Sequence, residues 1–286
     1  MAARKKATRP TPPDDVTQHA HKIADAVAEA WYGIHGSGRL DVPVSVVAVV
    51  AAAPQKSSQG ADVTDIMVQW SPDDFVDYAT NVWRSVIQHR PESTHLLYPI
   101  LGWWFDEIDT DTRRHVHAVA RAALRAGQVD LTGTGRRFEV DLLGTVLTVL
   151  RPKSALKAQG QFYTPPGVGA VMAGLSNVEE GGSVEDPTMG TGGLFRAVAE
   201  VMRQKGQRPS TMRWVGCDVD GLAVACATVN SLIWGLGRDI VFLVGSAFTP
   251  DWEIAATAQR DHLREIAAWV QETKYRLRLL GMWPEQ

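Results

Sequence analysis

The chain has 286 residues, a net charge of −3 and 45% apolar residues, which is the composition of a globular protein with room for about two domains. This composition excludes a collagen-like fibre, a coiled-coil fibre and a globally disordered chain. No apolar run reaches the ~18–20 residues that a membrane span needs. The basic N-terminus has no apolar segment behind it, so it is not typical of a secretory signal. We therefore expect a cytoplasmic protein with no membrane partner.

The distribution of charge bears on nucleic-acid binding. Residues 1–13 carry four cations and no acid, which leaves −7 for the rest of the chain. A protein that binds duplex DNA on its own usually has a basic face, because counterion release drives the affinity. We therefore expect any contact with DNA to be made through a partner or through the basic N-terminal tail, which has the composition of a disordered segment.

The cysteine and histidine content argues against a metal site. The two cysteines, Cys217 and Cys226, are too few for a disulfide framework or a four-cysteine zinc site, and we expect both to be reduced thiols in the core. His115 and His117 are two residues apart, so they cannot share one face of a helix as metal ligands would. No metal-ligating residue is predicted.

The first 150 residues have helical patterns throughout. Asp14 and Asp15 precede an amphipathic run, and Ser71-Pro72-Asp73-Asp74 is a strong helix start, because an acceptor side chain is followed by proline and acids in the first turn. The apolar run Val44–Ala53 fits either a helix or a strand. Further helical segments follow in chain order: Leu96–Phe105 with Pro99 expected near the helix start, Thr110–Arg125, and Val140–Leu150.

The pattern changes after residue 160, where short apolar runs end in glycine or aspartate. Three strands are predicted at Ser183–Asp186, Arg213–Asp218 and Asp239–Val244. They alternate with helices at Gly167–Leu175, Leu194–Gln204 and Leu222–Leu236, and a long amphipathic helix covers Trp252–Leu280. Strands that alternate with helices indicate βαβ units and a parallel sheet.

The predicted fold class is therefore α/β: a helical N-terminal domain followed by a Rossmann-like domain with a partial parallel sheet. The predicted boundaries are a disordered tail at 1–13, a helical domain at 14–155, an α/β domain at 156–250 and a C-terminal helix at 251–286.

A glycine-rich block lies between the first predicted strand and the next helix. It consists of Asp186-Pro187-Thr188-Met189-Gly190-Thr191-Gly192-Gly193. Glycine permits positive φ and a close approach of the backbone to a ligand, and the free amides of a helix start favour anionic groups. Because Phe195 occupies the third glycine position, the dinucleotide fingerprint is not met, and a phosphate loop is absent.

The next two strands end in polar residues that extend this site. Asp218 ends the second strand, 25 residues after Gly193, where a carboxylate accepts hydrogen bonds from ribose hydroxyls. Ser246 and Ala247 follow the third strand. Because the carboxyl ends of parallel strands share one edge of the sheet, the three strand ends predict a nucleoside-shaped site.

A further motif, Gly160-Gln161-Phe162-Tyr163-Thr164-Pro165, precedes the α/β unit, where its aromatic side chains are suited to cover a bound ligand. Combined with Asp186-Pro187, Gly190-Thr191-Gly192-Gly193 and Gly216-Cys217-Asp218, it resembles the adenine-N6 DNA methyltransferase family, specifically the modification subunit of type I restriction systems. Asp141-Leu142-Leu143-Gly144 agrees with that resemblance, which covers about residues 70–250.

The resemblance implies that the chain binds S-adenosylmethionine. Tyr163 and Thr164 would contact or flank the methionine part, Asp186 would hold the amino group, and Asp218 would accept from the ribose hydroxyls. Ser246 stands where the family carries Asp or Asn at the adenine amine, and the serine side chain is shorter than either of these. The full predicted cofactor-binding set is Phe162, Tyr163, Thr164, Asp186, Pro187, Gly190, Thr191, Gly192, Gly193, Asp218, Val219, Ser246 and Ala247.

The family's catalytic tetrapeptide, Asn/Asp/Ser-Pro-Pro-aromatic, is absent. Pro-Pro occurs only at Pro12-Pro13 and Pro165-Pro166, in neither case with the right neighbours, so no catalytic residue is predicted. Asp251-Trp252 is interpreted as the start of a helix with a packing tryptophan rather than as a substitute. Only 38 residues follow Phe248, whereas the remaining strands of a complete sheet need on the order of a hundred.

Three functions stay open at this point. The first is a relative of adenine-specific DNA methyltransferases that binds S-adenosylmethionine without independent catalysis. The second is an active adenine-N6 DNA methyltransferase subunit that a partner chain completes. The third is an interaction scaffold that binds no cofactor. With the first function, the first strand of the half-sheet is expected to form an edge that is covered either by Trp252–Leu280 or by a second chain, including a second copy.

Overall fold

The computed structural model describes residues 12–35, 38–151, 166–176, 178–280 and 282. The chain divides into two units at three points, of which the first two lie within the helices Pro72–His89 and Thr94–Phe105. The first unit comprises Met1–Thr80 and Trp103–Phe162, and the second comprises Asn81–Gly102 and Tyr163–Gln286. The predicted boundary at residue 155 lies outside the described residues and stays a prediction.

The predicted helical character of the first 150 residues is confirmed for their described part. The apolar run after Asp41 is a helix, in which all residues from Val42 to Val50 are buried. A single isolated β-bridge joins Lys56 and Asp62 among the described residues. The helices are α1 Val16–His35, α2 Asp41–Ala51, α3 Val63–Met67, α4 Pro72–His89, α5 Thr94–Phe105, α6 Thr110–Arg125, α7 Gln128–Thr132 and α8 Leu142–Leu150.

Side-chain caps explain where several of these helices begin. At the start of α4, the Ser71 backbone N–H donates to Asp74 Oδ2 at 2.8 Å, and the Asp74 N–H donates to Ser71 Oγ at 3.2 Å. This reciprocal capping satisfies two amides that have no partner within the helix. Asp109 and Asp141 cap α6 and α8 by accepting from the amides of residues 112 and 144.

The core of the first unit forms around α1, which packs against α6 and α8, while α2 packs against α6. A histidine is buried in this core: the His19 Nε2 atom lies 3.3 Å from the Ala126 carbonyl oxygen. Burial, with the positive charge of Arg136 beside it, lowers the pKa of His19. The neutral imidazole is therefore the form that this core favours.

The predicted position of Pro99 near a helix start is wrong, because Pro99 lies inside α5. Proline in a helix interior removes one hydrogen bond and crowds the preceding turn, at a cost of ~3 kcal/mol. The surrounding residues Leu97, Ile100 and Leu101 are fully buried, and this burial offsets the cost. Tertiary packing therefore overrides a strong local signal here.

The second unit contains the parallel sheet, as predicted. Its strands lie in the order β1-β2-β3, and both pairs of neighbours are parallel. The predicted alternation of strands and helices is confirmed: eight of the fourteen element ends lie where they were predicted, and the other six shift by one to three residues. The elements are α9 Pro166–Leu175, β1 Ser183–Asp186, α10 Gly193–Gln204, β2 Arg213–Asp218, α11 Gly221–Ile233, β3 Ile240–Val244 and α12 Trp252–Leu279.

Each face of the sheet has its own apolar contacts. On one face, the Phe195 ring from α10 stacks on Phe242 with ring centroids 5.6 Å apart, and meets Trp214 edge-on at 5.5 Å. On the other face, Trp252 and Ala256 from α12 pack in a cluster of buried residues, which comprises Val215, Cys217 and Val241 besides these two. The sheet is thus covered on both faces, as parallel sheets require.

The packing of α12 determines which part of the sheet this helix covers. It packs against β3 and the 3-10 turn Pro91–Ser93, and its buried residues contact β2 and β3. Within the described residues β1 pairs with β2 alone and forms an edge of the sheet. The alternative in which Trp252–Leu280 covers that edge is therefore wrong, and coverage by a second chain stays a prediction.

Two further expectations concern the cysteines and the membrane. Cys217 and Cys226 are both buried and neither forms a disulfide, which confirms their prediction as core thiols. In the part of the chain that the structure describes, no helix combines the length and apolarity that crossing a membrane requires.

Candidate functional site

The carboxyl ends of β1, β2 and β3 lie side by side at one edge of the sheet. Asp186 ends β1, Asp218 ends β2, and Val244 ends β3. The glycine-rich loop connects Asp186 to α10. The predicted residues 186–193, 218–219 and 246–247 are thus brought to one edge of one sheet, as the alternation of strands and helices indicated.

The loop adopts a conformation that needs its glycines. Gly190 has φ +53° and Gly192 has φ +89°, a region that L-residues rarely adopt. A Cβ atom placed on Gly190 or on Gly193 would meet nothing within 4 Å, whereas one on Gly192 would lie 3.3 Å from Trp234. Open space therefore lies beside Gly190 and Gly193, and a ligand can approach the backbone there.

Hydrogen bonds hold the loop against the neighbouring strand. The Gly190 N–H donates to Asp218 Oδ2 at 2.9 Å, and the Met189 N–H donates to the Cys217 carbonyl oxygen at 3.0 Å. From behind, Asn230 Nδ2 donates to the Thr191 carbonyl oxygen at 2.9 Å. The loop shape is therefore set by β2 and α11 as well as by its own glycines.

Asp218 is only partly saturated by these contacts. Its Oδ2 atom accepts from Gly190 and its Oδ1 atom accepts from the Asp220 N–H at 2.9 Å. A carboxylate has about four acceptor positions, so about two remain for further donors. Asp220 in turn accepts from the Leu222 N–H and caps α11, which fixes the chain directly after the strand.

Asp186 has a different environment. It is buried, and its Oδ1 atom accepts from the Thr188 N–H at 3.0 Å. Burial raises the pKa of Asp186, and the negative charge of Asp218 adds to this rise, while the bond from Thr188 opposes it. A buried carboxylate whose charged form is disfavoured in this way favours a bound cation, because a nearby positive charge stabilises that form.

The third strand end contributes small and apolar groups. Ser246 Oγ accepts from the Phe248 N–H at 3.2 Å, and Ala247 packs against the cluster formed by α12 and the sheet. The side chains of Val219 and Phe248 are 74% and 97% exposed. Ser246 is thus engaged in a local turn, and exposed apolar side chains follow both β2 and β3.

Some predicted residues lie outside the described part, and one supporting residue was missed. Phe162, Tyr163 and Thr164 fall among residues 152–165, so their placement relative to the site stays a prediction. Asn230 was not among the predicted residues, although it holds the loop through Thr191. Asn230 lies in the last turn of α11 and belongs to no motif, so no local signal could have found it.

The close packing at Gly216 gives a testable prediction for the loop. A Cβ on Gly216 would lie 2.4 Å from Met189 Sδ and 3.1 Å from the Phe195 ring, and both of those side chains are buried. We expect Gly216→Ala to lower the free energy of unfolding by about 1–3 kcal/mol through overpacking. Urea unfolding followed by circular dichroism measures this change.

Gly193→Ala is the matched control for that substitution. A Cβ on Gly193 meets nothing within 4 Å, and its φ is not positive, so we expect a change below about 0.5 kcal/mol. Equal losses for the two variants would contradict the assignment of the Gly216 effect to its close contacts.

Comparison with known proteins shows which family this part of the chain resembles. Residues 141–265 match the model of the family described as N-6 DNA methylase. An 84-residue stretch is 32% identical to the methylase subunit of the type I restriction enzyme MjaIX from Methanocaldococcus jannaschii, and it covers 29% of this chain and 15% of that protein. The chain therefore spans only part of the length of this relative.

A solved structure is also similar. The methyltransferase subunit of the type I restriction-modification system from Streptococcus thermophilus matches with a TM-score of 0.44 and 15% identity, over 80% of this chain and 58% of that one. The family match begins at Asp141, at the cap of α8, and runs through β3 into α12. Residues 141–265 are thus similar to the N-6 DNA methylase family, and an 84-residue stretch of the chain is similar to the methylase subunit of a type I restriction enzyme.

Proposed function

We propose that this chain binds S-adenosylmethionine at the carboxyl edge of its sheet. The observation that carries the proposal is the hydrogen bond between Gly190 and Asp218, because it joins an open glycine loop to a carboxylate that still has acceptor capacity. The two ribose hydroxyls of the cofactor match the two acceptor positions that Asp218 retains. Val219 offers an exposed apolar side chain beside that carboxylate, suited to contact the adenine ring.

Charge supports the same ligand. S-adenosylmethionine carries a sulfonium and an ammonium group, and Asp186 and Asp218 supply two carboxylates at neighbouring strand ends. A cation placed beside Asp186 lowers the raised pKa of this carboxyl group and is itself stabilised. The bound cofactor supplies an activated methyl group; residues of this chain hold it and orient it.

We further propose that the chain does not transfer that methyl group alone. The sequence has no polar-Pro-Pro-aromatic tetrapeptide, which in the resembled family contacts the target adenine. Trp252 is not a substitute, because it is buried in the apolar cluster between α12 and the sheet. The proposed function is thus that of a cofactor-binding relative of adenine-specific DNA methyltransferases, with DNA reached through a partner or through the basic N-terminal tail.

A second candidate is an active methyltransferase subunit that another chain completes. The observation that favours it is the edge position of β1, which pairs only with β2 among the described residues. Another chain that adds a strand beside β1 would extend the sheet. Short length, the charge of Glu185 and the following Pro187 reduce the tendency of this edge to pair unspecifically, so a dedicated partner is required.

Calorimetric titration of the full chain with S-adenosylmethionine tests the proposal. We expect Asp218→Ala to weaken binding by more than ~1 kcal/mol, roughly fivefold or more in Kd, because two hydroxyls lose an acceptor. Asp251→Asn is the charge-matched control: Asp251 follows β3, makes no side-chain cap for α12, and we expect unchanged affinity. Absence of heat at high micromolar ligand would leave only the scaffold without cofactor.

Transfer of labelled methyl groups to adenine-containing DNA separates the two catalytic alternatives. We expect no incorporation with the chain alone. Incorporation that appears only after addition of cell extract favours the subunit completed by a partner. Incorporation by the chain alone would overturn the absence of independent catalysis, while leaving the cofactor site in place.

A further inference from the structure

The first half of helix α12 is anchored to the second unit by packing and by ion pairs. Trp252 and Ala256 are buried against the sheet, and the Arg260 guanidinium pairs with Asp239. Arg264 Nη2 lies 3.7 Å from Glu92 Oε1 and donates to the carbonyl oxygen of residue 238 at 2.6 Å. These contacts fasten the helix as far as its fourth turn.

The second half of α12 presents apolar side chains to solvent. The 15 residues after Arg264 that complete the helix extend it by about 22 Å. The exposed fractions are 44% for Ile266, 68% for Trp269 and 70% for Leu280, the residue that directly follows the helix. Isolated helices of this length are marginal in water, and a contiguous exposed apolar patch marks an interaction site.

One row of side chains, which ends at the residue after the helix, has the spacing of the a and d positions of a heptad, and three of its five residues are apolar. Ile266, Trp269, Thr273, Arg276 and Leu280 are separated by 3, 4, 3 and 4 residues. This spacing keeps one stripe of a helix facing a partner helix along its length. We call these five residues the α12 stripe.

Charge along the same segment identifies the partner helix. The acids Glu265 and Glu272 precede the bases Lys274, Arg276 and Arg278. A second α12 that runs antiparallel therefore brings each acidic beginning against a basic end, and it also opposes the two helix dipoles favourably. Within one chain Arg276 Nε donates to Glu272 Oε1 at 2.8 Å, and both side chains are well exposed. Such a surface pair contributes little to stability, so Arg276 can exchange it for a partner at small cost.

We propose that the α12 stripe is the docking surface for a second copy of this chain, which binds in antiparallel orientation with the two helices crossing near residue 271. In this register Ile266 faces Arg276 of the other copy and Trp269 faces its Thr273. The aliphatic part of Arg276 covers Ile266, and its guanidinium reaches Glu265 of the same partner helix. A two-fold axis makes each of these contacts twice, as in an isologous dimer.

Sedimentation velocity of the full chain at low ionic strength tests the proposal. We expect a species of twice 31.2 kDa for the wild type. Glu265→Arg and Arg276→Glu each place like charges in contact, and we expect each to weaken dimerisation at least tenfold. An equimolar mixture of the two variants restores one of the two charge pairs across the interface and joins the two reversed charges in the other, so we expect it to sediment as a dimer again.

Two controls show whether the charges of α12 themselves hold the dimer. Glu179→Arg changes the same charge on an exposed residue outside α12, and we expect it to leave the dimer intact. Both helix substitutions exchange residues of similar helix propensity, and Arg276→Glu loses only the exposed pair with Glu272, so circular dichroism should change little. A monomeric wild type at about 50 µM, above the micromolar Kd of a weak specific dimer, overturns the proposal. A mixture that behaves as the sum of the two separate variants overturns it as well.

Discussion

A Glu92→Gln variant is expected to lose about 3–5 kcal/mol of the free energy of unfolding of the second unit. Arg90 Nε lies 2.9 Å from Glu92 Oε1, and both side chains are only 9% exposed. The Arg264 guanidinium approaches the same carboxylate from α12. Removing the negative charge leaves the Arg90 cation buried without its counter-charge, and urea unfolding followed by circular dichroism measures the loss.

A pair of comparisons checks the cause of that loss. Asp73→Asn breaks the ion pair between Asp73, which is 76% exposed, and Arg113, which is 35% exposed. We expect it to lower the free energy of unfolding by less than about 1 kcal/mol. The double variant Arg90→Met with Glu92→Leu removes both charges, and we expect it to recover part of the stability lost by Glu92→Gln. Equal losses for Glu92→Gln and Asp73→Asn would show that burial of the pair is not decisive.

The sequence predicts much of the secondary structure because its signals are local. Ser71, Asp109 and Asp141 each cap a helix by accepting from the amide three positions ahead, and such contacts are visible in the sequence. The three strands are recognised because short apolar runs end in glycine or aspartate between helical patterns. Their parallel pairing follows from the intervening helices, since a crossover must return the chain to the same end of the sheet.

Features that depend on distant residues could not be predicted in this way. Pro99 lies inside α5 because burial of its neighbours offsets the lost hydrogen bond, and this burial is not visible in the local pattern. The long helix α12 was expected as a possible cover for β1, yet Trp252 packs on β2 and β3. Amphipathicity shows that a helix has a buried side, but it does not show which strand that side meets.

The candidate site likewise combines residues that the sequence predicts with residues that only the folded chain reveals. The glycine loop and Asp218 are recognised from their spacing, and the structure joins them through Gly190. The hydrogen bond from Asn230 to the loop spans 39 residues and has no sequence signature. Residues that form the site are therefore predictable from the strand ends, whereas residues that support it are found only in the folded chain.

Phe195→Ala is expected to cost about 3–5 kcal/mol of the free energy of unfolding, because it opens a cavity in the centre of the second unit. The Phe195 ring is fully buried, stacks on Phe242 at an interplanar angle of 4° and meets Trp214 edge-on. This residue occupies the position at which a dinucleotide fingerprint has its third glycine. Here the space between α10 and the sheet is filled by an aromatic ring, so the ring holds the helix that begins at the glycine loop.

Phe248→Ala provides the control with identical chemistry. Phe248 is 97% exposed, so its truncation creates no cavity, and we expect a change within about 0.5 kcal/mol. Both variants lie in the second unit and can be unfolded in urea under the same conditions. A loss for Phe195→Ala no larger than that for Phe248→Ala would contradict the position of Phe195 in the core. That result would also mean that packing of the Phe195 ring is not what holds the glycine loop opposite Asp218.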